Sequence, residues 1–343
     1  MSANHRAFKA LLDVGCAIAL SAGPLFAGTN TWTTAGPFES KVVCLAINPS
    51  TPSIVYAGTW TYGGGLYKTT DSGGSWYTVN IGLTSYQIAA LVIDPSTPST
   101  VYAGSDSGIF KTTNSGESWS AINTGLMNLY VLTLAIDPSA PSTVYAGTLN
   151  GGAFKTTDGG GSWSSLNIGF TDISVYALAI DPLSPSIVYA GTGFGVLKTT
   201  DGGETWIAAN TGLTSLDVLC LAIDPSDHFT LYAGTFSGGI FKSTNGGVTW
   251  AAMNTGLPSF QVYSLAIAPS SHSIVYAGIW TWYGGVGVFK TNNGGITWSA
   301  AGLAKHYIFA LAIGPSAPLT VYSGTESGVW SITICHDRPV GRP

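Results

Sequence analysis

Residues 178–210 read LAIDPLSPSIVYAGTGFGVLKTTDGGETWIAAN, and near-copies of this stretch recur along the whole chain. Its Val-Tyr-Ala-Gly core sets the rhythm, with tyrosines at Tyr56, Tyr102, Tyr145, Tyr189, Tyr232, Tyr276 and Tyr322. A fixed period of 43 to 46 residues is the mark of a repeat architecture. Each unit holds four short β-type runs, termed a to d. In the quoted copy and the residues just before it they span 175–180, 187–190, 196–199 and 205–208. Turn residues separate them: Asp181-Pro182 with Ser184-Pro185, Gly191 to Gly195, then Asp201-Gly202-Gly203. No repeat carries a sustained helical period.

Four strands per unit predict a β-propeller blade, and seven tyrosines predict seven blades, so the expected fold is an all-β, seven-bladed propeller of four-stranded antiparallel blades. The seventh unit stops early, after Gly328-Val-Trp-Ser-Ile332, with no d strand. The first strand-like run, residues 29–36 around Trp32, looks like the missing one. Pairing it with strand c of blade seven would close the ring and remove the open edge.

Working outward, residues 1–27 are expected to be a signal peptide, 28–335 the propeller and 336–343 a disordered tail. His5, Arg6 and Lys9 precede an apolar run from Ala10 to Ala22, which predicts export with a cut after Ala22 or Ala27. Asp13, Gly15, Gly23 and Pro24 make the same run a poor membrane span, so none is expected in the mature chain. The expected location is secreted, periplasmic or cell-surface. Cys44 and Cys220 occupy equivalent places in blades one and five, too far apart for a disulfide, and read as buried thiols.

Only 8% of residues are charged and the net charge is −5. The arginines are Arg6, Arg338 and Arg342, all outside the repeats, so there is no basic stripe for a nucleic acid. No His/Cys cluster suits a metal, and the glycines lead into strands rather than helices, so neither a metal nor any other cofactor is expected. His228 and His272 fall in a–b turns as solvated residues.

Between strands c and d runs a second repeated motif: Ser or Thr, then Asp or Asn, Gly, Ser or Thr, Trp. Blade one reads Thr69-Thr-Asp71-Ser-Gly73-Gly-Ser75-Trp76, and Asn114, Asp158, Asp201, Asn245 and Asn293 take the place of Asp71 in the next five. This resembles the Asp-box (BNR) repeat of sialidases, sortilin-type receptors, xyloglucan-cleaving glycosidases and photosystem II assembly propellers. The resemblance covers nearly the whole mature chain and implies a propeller, not a chemistry. Asp alternates with Asn, and Asn is no general acid, so these six residues read as structural turn caps. Asp94, Asp137, Asp181 and Asp224, each before Pro, read the same way.

Sialidases grip a substrate carboxylate with three arginines inside the propeller, and these repeats contain none. The arginine patch of the assembly propellers is missing too. A xyloglucanase-type hydrolase needs two carboxylates. Glu326 and Glu39 are the candidate pair, with Asp106, Asp172 and Asp217 on the same face, but those enzymes set their cleft between two propellers and this chain has one.

The a–b and c–d turns share one monotonous face. The b–c loops and the d-to-a crossovers share the other, where the repeats depart from one another. There blade one carries Trp60 and Tyr62, blade six Trp280, Trp282 and Tyr283, and blade seven His306, Tyr307 and Glu326. These eight residues are the expected ligand site, since aromatic platforms with a few polar groups suit sugar rings or a partner's apolar anchors. The chain thus reads as an exported, non-enzymatic binding scaffold for a glycan or an extracellular protein, with a glycoside hydrolase as the alternative. A repetitive ligand held between blades is a further option, and the sequence leaves the oligomeric state open.

Overall fold

The structure, a computed structural model, describes residues 31–61, 63–169, 172–259, 261–281, 283–315 and 319–334. The expected leader and tail, Tyr62 and Trp282 lie outside them. Among the described residues the chain forms seven four-stranded antiparallel sheets. Six are continuous in sequence. The seventh joins Ile308–Ile313, Leu319–Thr325 and Gly328–Ile334 to Thr33–Gly36 from the other end of the chain. Thr33 pairs with Ser331, so the ring closes as the orphan strand predicted.

Strand b explains why the repeat is so apolar. In blades one to five it is a five-residue strand, such as Val188–Thr192, buried at every position, because neighbouring blades cover both of its faces. Its tyrosine is among the largest fully buried side chains of the protein. Burying roughly 200 Å² of ring at about 25 cal/mol/Å² contributes on the order of 5 kcal/mol before entropy is subtracted. The glycine after it is forced by close approach. A Cβ on Gly58 would lie 2.9 Å from the Ile88 carbonyl oxygen of the next blade and closer still to Cys44 Sγ.

Polar ties register the blades. Tyr189 Oη and Lys198 Nζ both donate to the carbonyl of Gly246 in the next blade's c–d turn, at 3.0 and 2.8 Å. The same pair of donors meets Ser115, Gly159, Gly202 and Gly294. Tyrosine rings and ammonium groups also stack, with Lys198 Nζ 5.3 Å from the Tyr189 centroid. The Trp before strand d adds a tie in the other direction: Trp119 Nε1 donates to Val79 O at 2.8 Å. Trp206 differs, bonding its own turn at Gly203 O.

Strand d is shorter than the sequence suggests. It is Ile207–Ala208 in blade four, not 205–208, because Thr205 is held by the turn and Trp206 turns inward before pairing starts. Blade six differs in the opposite sense. Its b–c connection is mostly strand, with Ser271–Thr281 and Gly284–Thr291 extending the hairpin beyond that of its neighbours.

Candidate functional site

On the monotonous face the repeated aspartates and asparagines are engaged within their own turns. Asp71 Oδ1 accepts from Thr69 Oγ1 and the Ser75 amide, at 2.7 and 2.8 Å, and Oδ2 accepts from Ser75 Oγ. Asn114 makes the same two contacts through Oδ1 and donates from Nδ2 to Ser118 Oγ at 3.0 Å. A hydroxyl can donate to a carboxylate or accept from an amide, so either residue fits. Hydrogen bonds from Thr69, then Ser75, hold the Asp71 carboxyl down at about 2. The acids before Pro cap turns as well: Asp94 Oδ1 accepts from the Ser96 and Thr97 amides. The two turn histidines are not merely solvated as the sequence suggested. His228 Nδ1 lies 3.1 Å from Asp181 and His272 Nδ1 lies 2.8 Å from Asp224, each pair joining adjacent blades.

The opposite face carries a different geometry. In every blade the register of strand a slips near its start, as between Val175 and Ala177. A bulge frees one side chain from the ladder. The seven freed residues are Val43, Ala89, Leu132, Tyr176, Leu219, Tyr263 and Phe309, and all seven line one cavity of about 320 Å³. Cys44, Trp60 and Cys220 complete its wall with further strand-a residues. This is the central channel of the ring, apolar on most sides and narrowed by three aromatic rings.

Of the expected loop aromatics, Trp60, Trp280 and Tyr307 pack inward against rings near this cavity. Trp60 and Trp280 are each only 6% exposed. Trp60 is pinned by its amide bond to Lys41 O and a bridge to Gln87, with its ring 5.8 Å from Tyr130. Trp280 lies between Tyr263, at 4.2 Å, and Tyr307, at 5.2 Å. Tyr307 stacks on Phe309, and Lys41 Nζ lies 4.9 Å over the other ring contact of that arc, Phe309 itself. The result is an arc, Tyr263–Trp280–Tyr307–Phe309–Lys41, running from blade six through seven to one. Tyr283 is fully exposed outside it.

The candidate carboxylates are not alike. Glu326 Oε1 lies 2.8 Å from His306 Nδ1 and Oε2 accepts the Tyr307 amide at 2.9 Å, so both oxygens position the crossover that carries Tyr307. Glu39 is exposed, with a positive φ of 59°. Asp106 accepts from Ser85 Oγ and Ser107 Oγ. Tyr263 Oη is buried without a hydrogen-bond partner, and burial pushes its hydroxyl well above the usual range. Burial raises Tyr176 likewise. Both thiols are free, and burial pushes Cys44 and Cys220 up to about 12. Among the described residues there is no cluster of three His, Cys, Asp or Glu that could hold a metal. Nor is there a helix long and apolar enough to cross a membrane.

The bulge residues are what sequence reasoning missed. A position that reads Val, Ala, Leu, Tyr, Leu, Tyr, Phe in successive repeats was the signal available, since most of its neighbours in strand a vary far less.

No family model matches the chain, and no curated protein matches it in sequence. Solved structures share its fold. An ancestral GH74 enzyme superposes at TM-score 0.72 with 18% identity, covering 88% of this chain and 46% of that one. The GH74 enzyme of Niastella koreensis gives 0.69 and 20%, with 88% and 53% covered, so the chain spans about half the length of these enzymes. YCF48 bound to D1 peptide gives 0.67 and 15%, with 93% and 99% covered. The extracellular domain of the B. thetaiotaomicron protein BT4673 gives 0.67 and 17%, with 87% and 39% covered. At these identities the likeness is one of fold.

Proposed function

We propose that this propeller is an exported, non-enzymatic binding scaffold that receives a glycan or an extracellular protein at the channel mouth on its b–c face. The observation that supports this most is the convergence of seven bulged side chains, three of them aromatic, on one cavity of about 320 Å³. A cavity of that size and lining suits one sugar ring or one apolar side chain of a partner, with a tyrosine hydroxyl to orient it. YCF48, of matching length, is seen with a peptide, and GH74 enzymes share the blades, so both ligand classes have precedents on this fold.

The alternative is a glycoside hydrolase of the xyloglucanase-like type. Glu326 supports binding over hydrolysis, because its two oxygens are spent on His306 and the Tyr307 amide. A glycan array and a pull-down with the full chain separate the ligand classes. Ala89→Trp is the control that plugs the channel. The same bulge already accepts Tyr or Phe in blades four, six and seven, so the fold should tolerate it. Loss of binding in this variant supports the channel site, and unchanged binding rejects it. Turnover of a glycan that Glu326→Gln abolishes would favour the hydrolase.

A further inference from the structure

In five seams the tyrosine of strand b and the lysine of strand c grip one carbonyl oxygen of the next blade's c–d turn. The acceptors are Ser115, Gly159, Gly202, Gly246 and Gly294, with the tyrosine Oη at 2.9 to 3.3 Å and the lysine Nζ at 2.7 to 2.9 Å. In each, the ammonium stands 5.1 to 5.4 Å over the ring, so the two donors are held together and converge on a single oxygen.

Blade six has the same donors in the same pose and no acceptor. Lys290 Nζ stands 5.5 Å over the Tyr276 ring. Tyr276 is 2% exposed, and its hydroxyl has no hydrogen-bond partner. Among the described residues no c–d turn faces this pair, because strand c of blade seven runs on to Ile334 and its strand d begins at Thr33. The seam is otherwise packed. Trp32 Nε1 donates to Ala301 O at 2.6 Å, and Leu303, Leu319 and Ile332 share a cluster with Tyr276. A buried hydroxyl without a partner is costly, so the pair calls for an oxygen.

Charge selects which oxygen. Glu117 acts on Lys68, Asp181 on Lys198, and Asp224 and Asp227 on Lys242, each offsetting the loss of water around the ammonium. Among the described residues no acid does so for Lys290, because Ala268 stands where blades four and five carry Asp181 and Asp224. A neutral carbonyl would satisfy the two donors and leave that charge unmatched. A carboxylate satisfies both needs, and charge-assisted hydrogen bonds are the stronger kind.

We infer that the seam between blades six and seven is a carboxylate-binding site, in which one ligand oxygen accepts from both Tyr276 Oη and Lys290 Nζ. Neither residue lines the channel cavity, so this site is separate from the one proposed above. The carboxylate belongs to a small organic acid or to an acidic side chain of a polypeptide.

Urea unfolding of the full chain in a carboxylate-free buffer tests this. The probes are sodium acetate and a short glutamate-bearing peptide with a blocked C-terminus, each compared with sodium chloride at equal ionic strength. Without a probe, Tyr276→Phe should leave the folded-to-unfolded ratio unchanged or higher, since its hydroxyl has no bond to lose. Tyr189→Phe, in a complete seam, should lower it by about five- to tenfold. At ten times the dissociation constant of a probe, the ratio should rise about tenfold for the unaltered chain. Tyr276→Phe and Lys290→Met should each remove that gain. A gain with acetate assigns the site to free acids, and a gain with the peptide alone assigns it to a polypeptide. A loss of stability in Tyr276→Phe without a probe, a gain that both variants keep, or no gain from either probe overturns the inference.

Discussion

Trp32 and Ala301 lie 269 residues apart in the chain, yet the indole of the first donates a 2.6 Å hydrogen bond to the carbonyl of the second. One end of the polypeptide thereby ties the last blade to the sixth. Trp32→Phe keeps a ring in the seam and loses the bond, and should cost about 1 kcal/mol. Trp32→Ala also empties the seam and should cost about 3 kcal/mol. Urea unfolding of the two variants checks the order.

Acid should loosen the turns within a defined window. The Asp71 and Asp158 carboxyls are held near 2 against an ordinary 3.8, chiefly by the hydroxyls of Thr69 and Thr156. A depressed carboxyl stabilises the fold above its unfolded value and loses that contribution as pH falls toward its folded one. Stability should therefore drop between about pH 4 and pH 2. Replacing Asp71, Asp158 and Asp201 together by Asn should flatten that drop while leaving the melting temperature at pH 7 little changed. Melting scans at stepped pH read both effects.

The two strand-a thiols should be inert. With Cys16 and Cys335 replaced by Ser, the native protein should release no chromophore from a thiol-exchange reagent at pH 8. Burial holds Cys44 and Cys220 at about 12, so almost no thiolate is present. Unfolding should expose two equivalents.

Gly58→Ala should destabilise by about 2 kcal/mol, because its new methyl meets Cys44 Sγ and the Ile88 backbone. Gly63→Ala meets no atom within 4 Å, though at a positive φ of 77°, and should cost less. Calorimetry of the pair separates blade-to-blade crowding from backbone strain.

The fold was legible because its determinants are local and repeated. The tyrosine period counts the blades, and Trp32 without a preceding strand c marks the closing strand. The channel was not, because a bulge is a property of pairing between two strands. Val43 or Tyr176 looks like any strand residue until its partner skips it. Trp60 and Trp280 stood out as large residues in irregular loops, which favours a surface platform on paper. Backbone pairing to Gln87 and Gln261 instead turns Trp60 into a wall of the cavity and packs Trp280 behind Tyr263. Glu326 was read as a binding or catalytic candidate, but nothing in the sequence says that its oxygens would be taken by His306 and a backbone amide.

Tyr322 reaches blade one through a single bond to Ser72 O, and the position that pairs with it in strand c is Ser331 rather than lysine. That junction has one fastening where five others have two. On the other side of the same blade the Tyr276 hydroxyl has no partner, so both seams flanking the blade that closes the ring are under-fastened, and a strained disc should open beside that blade first.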